Sequence, residues 1–335
     1  MTKKIALIGA GAIGRIHARN LSHSATCNLA HVIDFDRGRA DEVSRLFGGR
    51  ADDSLSVAIS DDTVDAVIVA SSTDAHKDHV LAAARAGKAI LCEKPIASSL
   101  DDARYCVDEI QRAGVVAAMG FNRRLDAVHQ DLHNRLSNGE IGKIEALRLV
   151  SRSAAPPAPE TALNSGGMIR EKGAHFFDLA CWLAGSDPEE VVAMGDCLID
   201  PRFADFGDLD TAMVSVKLQN GALAGFDFGR RTAYGVDELI EVFGSEGLLL
   251  ADRQPVAGVI KRTGASILAP GLDPDWYQRF APTYVVELEA FTAAINGKAE
   301  VHANMIDGLR AQAIAEATII AIQERRVVAI DPVWR

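Results

Sequence analysis

Ile5-Ala-Leu-Ile-Gly9-Ala-Gly11-Ala12-Ile13-Gly14 is the stretch that decides the fold. An apolar run of strand length leads straight into three glycines spaced G-x-G-x-x-G, and a helical pattern (Ile13, Ile16, His17, Leu21) begins at once. Each glycine has its own physical reason. Gly9 permits the tight turn out of the strand. Gly11 has no Cβ, so a pyrophosphate can approach the backbone. Gly14 lets the helix pack close to the strand. The free N–H groups and positive dipole end of that helix, at Ala12 and Ile13, are then placed to receive phosphates.

A second apolar strand, Leu29-Ala-His-Val-Ile33, ends in Asp34, 20 residues past Gly14. A carboxylate there accepts hydrogen bonds from a ribose 2′-hydroxyl and repels a 2′-phosphate. Phe35 and Asp36 follow, and Arg37 and Arg39 are the nearest cations, so the expected dinucleotide is NAD and not NADP. An ordinary buried βα turn with a capping Asp has the same local sequence. The second strand ending in an acid is what favours the dinucleotide.

Bulk properties bound the reading. At 335 residues the chain exceeds the size of most single cores, so two domains are expected: 1–121 for the cofactor and 122–335 for the substrate and for oligomerisation. A net charge of −11, from 35 basic and 46 acidic residues, disfavours nucleic acid or an anionic membrane as partner. No apolar run is long enough to span a bilayer. The lysines near the start superficially resemble a signal peptide, but the short apolar run after them is better explained as the first strand. Cys27, Cys92, Cys106, Cys181 and Cys197 are scattered and odd in number, which suits reduced thiols in a cytoplasmic protein and neither a zinc site nor a disulfide framework.

The first third alternates strands (Lys4–Ile8, Cys27–Ile33, Ala66–Ala70, Ala89–Cys92, Val115–Met119) with amphipathic helices (14–22, 37–47, 75–86, 100–113). Continuous apolar strands in βα units predict a doubly wound parallel sheet, an α/β Rossmann arrangement. Near Gly120 the pattern changes. A helix over 126–138 and a strand over 144–151 precede the Pro-rich stretch Ala154-Ala-Pro-Pro-Ala-Pro-Glu160, expected to be a loop, and a helix over 167–183. Strands over 190–198, 211–218, 222–230, 239–243 and 247–251, split by Asn220-Gly221 and Gly244-Ser-Glu-Gly247, predict an α+β domain on an open, mainly antiparallel sheet. Helices over 284–296 and 304–323 and a strand over 327–330 close the chain.

Three groups of residues carry chemistry. Glu93-Lys94-Pro95 stands at the carboxyl end of a parallel strand, where such sheets bind ligands. A Lys there can donate to a developing alkoxide, although a solvated Lys at a strand end is also common. Glu171 and His175 are four apart and share one face of the predicted helix. A carboxylate beside an imidazole suits a general base, and the same spacing also suits a surface ion pair or, with Asp178, a metal. Ser71, Ser72, Thr73 and His76 follow the third predicted strand, and Asn122 and Arg124 follow the fifth. The first set can meet the cofactor's ribose and nicotinamide side. Arg124 can bond substrate hydroxyls or form an ion pair between domains.

Gly9–Gly14, Asp34, Glu93-Lys94-Pro95 and the acid-x-x-x-His pair together resemble the Gfo/Idh/MocA oxidoreductases over essentially the whole chain. Within that family the chain looks most like the inositol 2-dehydrogenases, on Gly120-Phe-Asn-Arg-Arg-Leu-Asp126, Tyr234-Gly-Val-Asp237, Phe243-Gly-Ser-Glu-Gly247 and Asp275-Trp-Tyr-Gln-Arg-Phe280 with Tyr284. The resemblance implies a Rossmann domain binding NAD, and an α/β domain whose open sheet packs against a partner's in a homodimer or homotetramer. It assigns Lys94 and His175 as catalytic, with Glu171 orienting the histidine, and Asn122, Arg124 and Tyr234 to the polyol. The expected reaction is oxidation of a secondary hydroxyl of a cyclic polyol or sugar. Two departures stand out: the family's usual Asp is Glu171 here, and a His-x-Asn-like pair is replaced by Ser151-Arg152-Ser153. An aldose or modified-sugar substrate is therefore the alternative, and a non-catalytic NAD-binding regulator is the alternative of another class.

Overall fold

The near-continuous apolar runs of the first third become six parallel strands: β1 (Lys3–Ile8), β2 (Cys27–Ile33), β3 (Arg50–Asp52), β4 (Ala66–Val69), β5 (Ala89–Cys92) and β6 (Ala117–Met119). The computed structural model describes residues 2–159, 162, 166–332 and 334. The strand order is β3-β2-β1-β4-β5-β6, a doubly wound sheet that reverses direction between β1 and β4. Every residue of β4 and β5, and Ile5–Ile8 of β1, is buried, because helices cover both faces. These helices are α1 (Ala12–His23), α2 (Arg37–Phe47), α3 (Leu55–Ile59), α4 (Thr73–Arg85) and α5 (Leu100–Ala113). The ends of α5 are written locally. The Ser99 side chain accepts from Asp102 N, Asp101 and Asp102 sit in the positive first turn, and Gly114 closes the helix at φ +64. Sequence periodicity places α2 and α5 correctly to the residue. It passes over β3 and α3, which are too short to show a period.

The second set of elements is α6 (Ala127–Ser137), β7 (Ile144–Arg152), α7 (Ala174–Ala184), β8 (Pro188–Asp196), β9 (Thr211–Leu218), β10 (Leu223–Gly229), β11 (Asp237–Gly244) and β12 (Gly247–Ala251). The small strands β13 (Lys261–Arg262), β14 (Ile267–Leu268) and β15 (Val328–Ala329) follow. The large sheet runs β12-β11-β7-β10-β9-β8-β15 and is antiparallel except for the parallel β7–β10 pair. The turns are those marked in the sequence. Gly221 takes φ +90 between β9 and β10, and Gly244 pairs with Gly247 across a two-residue turn between β11 and β12. One face of the sheet is buried. Phe177 meets Phe226 and Phe228 edge-on at ring separations of 5.0 and 5.8 Å. The other face leaves Val192, Met194, Met213, Leu223, Phe243 and Leu248 exposed. Ala154–Ala158 form an irregular loop, while Glu160 lies outside the described residues.

The chain divides into two units: Met1–Leu125 with Pro282–Gln312 and Pro332–Arg335, and Asp126–Ala281 with Ala313–Asp331. Two helices therefore pass between units, α8 (Trp276–Ile295) after Ala281 and α9 (Met305–Glu324) after Gln312. The sequence pattern starts the first of these at Tyr284. The helix begins eight residues earlier and carries Pro282 inside it, so the proline does not end the preceding turns. In the first unit, Leu288 and Phe291 of α8 join the core of Ile5, Leu7 and Leu91. Met119 N donates to Ala303 O (3.0 Å), and Gln312 Nε2 donates to Ala97 O (2.9 Å). No described helix is long and apolar enough to cross a membrane.

Phe228→Ala removes the centre of the aromatic cluster and is expected to cost about 3–5 kcal/mol of unfolding free energy. A urea titration checks it, and a loss under about 1 kcal/mol would show that this cluster is not a core.

Candidate active site

The glycines of the first turn meet the surroundings their spacing demands. Gly9 has φ +100, and a Cβ there would lie 2.4 Å from Ala70 O. At Gly14 a Cβ would lie 1.9 Å from Gly9 O, so α1 can pack here only on a glycine. At Gly11 a Cβ would meet nothing within 4 Å, which is a backbone surface open to a ligand. Gly11 is the N-cap of α1. It offers no capping side chain, and no acid stands in the first turn, so the N–H groups at Ala12 and Ile13 face the open side with their dipole uncompensated. Those features fit the pyrophosphate of a dinucleotide.

Asp34 ties the end of β2 to this turn. Its Oδ2 accepts from Ala10 N at 2.7 Å and its Oδ1 from Asp36 N at 2.9 Å. The carboxylate is thus held in a fixed orientation at the carboxyl edge of the sheet. Ser71, Glu93 and Gly120 follow β4, β5 and β6 at that same edge. Ser71 Oγ lies 2.9 Å from His79 Nδ1, Ser72 is the N-cap of α4, and Thr73 starts that helix. His76 is enclosed. Its Nδ1 lies 2.7 Å from Pro95 O and its Nε2 lies 3.0 Å from Ser71 O. Burial pushes this imidazole below the ordinary histidine value, and because both facing atoms are carbonyl oxygens a neutral ring donates to only one of them, packed between the two loops. Lys94 is half-buried at the end of β5, and the Lys94–Pro95 bond is cis.

Asn122 and Arg124 are buried in the first unit beside partners from the later chain. Asn122 Nδ2 donates to Thr283 Oγ1 (2.9 Å). Arg124 pairs with Asp307 (3.2 Å) and donates to His302 O (3.2 Å). The Arg124–Asp307 pair lies within the first unit, so it is not the ion pair between domains that the sequence suggested.

In the second unit, Glu171 and His175 lie on one continuous helical segment, but its first part, Ile169–Gly173, is a π-helical turn and not α. The four-residue spacing therefore spans a widened turn, a feature often found at functional sites. Its surroundings explain it. Gly166 and Gly167 both take φ +85, and Met168 N donates to Asp208 Oδ1 (2.9 Å). Arg170 is clamped to Glu316 (2.6 and 2.7 Å), and Lys172 Nζ donates to Ser153 Oγ (2.7 Å) and Gly229 O (2.9 Å). Both residues are half-buried.

The Ser151-Arg152-Ser153 stretch leads into a second polar cluster. Arg152 pairs with Asp227 and Asp237, and Arg253 Nε reaches Asp237 Oδ1 at 2.5 Å. Tyr234 is half exposed and its hydroxyl donates to Asp237 Oδ2 at 2.6 Å. That bond, with partial burial, raises the phenol above its ordinary value. Sequence reasoning passed over Lys172, Asp227 and the fully buried Glu287, because each gains its meaning from partners far away in the chain.

Comparison with known proteins matches this arrangement. Residues 3–121 match the Gfo/Idh/MocA oxidoreductase family with an NAD-binding Rossmann fold, and residues 129–250 match the Gfo/Idh/MocA C-terminal domain. An inositol 2-dehydrogenase of Rhizobium meliloti is 34% identical over 332 residues, covering 98% of this chain and 100% of the relative. A myo-inositol dehydrogenase structure from Corynebacterium glutamicum superposes with a TM-score of 0.92 at 31% identity, covering 99% of this chain and 100% of that one. A scyllo-inositol dehydrogenase from Lactobacillus casei, with bound NAD(H) and scyllo-inositol, superposes with a TM-score of 0.91 at 25% identity, covering 98% and 99%.

The glycine geometry separates folding from cofactor binding. Gly11→Ala is expected to cost no more than about 1 kcal/mol of stability but to weaken NAD binding about tenfold or more. Gly14→Ala is expected to lose about 1–3 kcal/mol as well. Thermal melts and NAD titrations of the two variants check this; equal effects on both quantities would break the assignment.

Proposed function

This chain belongs to the Gfo/Idh/MocA oxidoreductases, an NAD-dependent family, and on that footing we propose that it oxidises a secondary hydroxyl of a cyclic polyol, with an inositol as first substrate. The observation that carries the cofactor side is the open, uncapped backbone at Gly11 beside a sheet edge bearing Asp34 and Lys94. NAD, when bound there, supplies the hydride acceptor.

The chain's own residues do the rest. N–H groups at Gly11, Ala12, Ile13 and Gly14 bind the pyrophosphate, and Asp34 accepts from the ribose hydroxyls. Ser71, Ser72 and Thr73 border the nicotinamide side, with His76 bracing their loop and Glu93 fixing the base of Lys94. His175 removes the hydroxyl proton as the hydride leaves carbon. Glu171 orients the imidazole, and its longer side chain suits the widened turn on which it stands. Lys94 donates to the reacting oxygen and stabilises its developing charge. Tyr234 offers the polyol a hydroxyl held by Asp237. Asn122 and Arg124, committed to Thr283 and Asp307, act as positioning residues.

The Ser151–Ser153 stretch supports a second reading. Ser151 and Ser153 carry shorter groups than a His-x-Asn pair, Ser153 Oγ accepts from Lys172, and Arg152 between them pairs with two aspartates. An aldose or modified sugar is the substrate class under that reading. We assign the cofactor to 1–121, and substrate and assembly to 122–335 apart from Pro282–Gln312, which belong to the first unit. A reducing cytoplasm suits its five free cysteines.

A panel of inositols and aldoses with NAD or NADP, followed by absorbance of the reduced cofactor, decides between the substrates. Reduction of NAD by myo- or scyllo-inositol supports the first reading, reduction by an aldose alone supports the second, and no reduction at all favours a binding role. Lys94→Ala and His175→Ala are each expected to lower turnover by about 10²–10⁴-fold with NAD affinity retained. Unchanged turnover in either variant removes the role given to that residue.

The exposed sheet face supports assembly through a second copy of the chain. Met194 pairs across the strands with Met213, and Phe243 with Leu248, and all four are exposed. Light scattering is expected to give a dimer or tetramer, with Met194→Glu plus Met213→Glu shifting it to monomer. A monomeric wild type would end this part of the proposal.

A further inference from the structure

The first unit buries three ionisable side chains to which the mechanism above gives no chemical step. His17 lies on α1, three residues past Gly14. Glu93 immediately precedes Lys94, and Glu287 comes from α8; their exposures are 1, 7 and 0%. His17 Nε2 is bonded to Glu93 Oε1 at 2.9 Å, and the ring meets Tyr284 edge-on at 5.6 Å. The functional atoms of all three residues lie within 4.8 Å of one another. Among the described residues neither oxygen of Glu287 has a hydrogen-bond partner, and the His302 imidazole lies 3.5 Å from its Oε1.

Two carboxylates in one dry pocket repel, and an unpaired buried carboxylate is costly. Glu93 has His17 as its partner, whereas Glu287 has no comparable one. We infer that Glu287 is a positioning residue: held as a neutral carboxylic acid behind the His17–Glu93 pair, it locks the phosphate-binding helix to the segment that carries Lys94. The inference rests on the role proposed for Lys94. Burial and the charge of Glu93 both push Glu287 well above the usual carboxylate range, with His17 opposing them. Burial pushes His17 down, but the hydrogen bond to Glu93 and the charge of Glu93 oppose it, and His17 titrates above its ordinary value. A metal ion is the rival occupant for such a trio. The direct His17–Glu93 bond puts a proton between two of the atoms that an ion would have to bridge.

The lock is tight because Glu93 has little room to move: a Cβ on Gly120 would lie 2.8 Å from its Oε2. Ionising Glu287 adds a second negative charge beside it, with His17 from α1, Glu93 from the end of β5 and His302 from the chain after α8 as the groups that respond. An acid whose folded-state pKa is raised stabilises the fold while protonated and loses that contribution as pH rises through the raised value. Stability and NAD affinity of the wild type should therefore fall together as pH rises from the ordinary carboxylate range through that raised value.

The test uses the full-length protein as wild type, Glu287→Gln and Glu287→Ala. Difference infrared spectra at neutral pH should show the carbonyl stretch of a protonated carboxylic acid in the wild type and not in Glu287→Gln. Glu287→Gln mimics the neutral acid, so its NAD affinity should stay within about threefold of wild type and lose that fall with pH. Glu287→Ala should bind NAD about tenfold more weakly or worse. The proposal is overturned if Glu287→Gln is as impaired as Glu287→Ala, if the protonated-acid band is missing, or if elemental analysis finds one metal ion per chain. None of these readouts needs the substrate, so failure to oxidise inositols would leave this inference standing.

Discussion

The close approach of Gly14 to the carbonyl of Gly9 is the constraint on which the rest of the structure depends. It brings α1 down onto the end of β1, so that the helix's free N–H groups and the carboxyl edge of the sheet share one line. Asp34 is bonded to Ala10 N, His17 is delivered by the same helix, and Glu93 bonds to His17. Lys94 is next in the chain. A single steric requirement therefore fixes the open backbone at Gly11, the Asp34 carboxylate and the segment that carries Lys94 in one frame, the kind of pre-organisation that the roles proposed for them need.

Around that frame, charge is placed by what surrounds it. The first turn of α1 carries no acid, which leaves its positive end for a ligand, whereas α5 fills the same position with Asp101 and Asp102. In the second unit, Arg152 and Arg253 hold buried Asp237, which in turn holds Tyr234. Lys172 and Arg170 are both spent on pinning the π-helical turn to the strand ends and to α9. These clamps flank Glu171 on the widened turn.

Similarity over the full length to inositol dehydrogenases, together with this frame, makes the chemistry of the cofactor half firmer than that of the substrate half. The cofactor half is built mostly from backbone and glycine. The substrate half, as proposed, is built from side chains.

The sequence by itself determined what local physics can encode. That includes the glycine turn, Asp34 at the end of β2, the caps of α2 and α5, the Asn220-Gly221 turn, and the strand patterns whose two periods separate a parallel sheet from an antiparallel one. Only the tertiary structure decided the rest. It returned residues 282–312 to the first unit, buried Glu287 beside His17, committed Arg124 to Asp307, and widened the turn at Glu171. The reason is the same each time. A charge or a hydrogen bond acquires its meaning from a partner scores of residues away in the chain, and no window of sequence contains both.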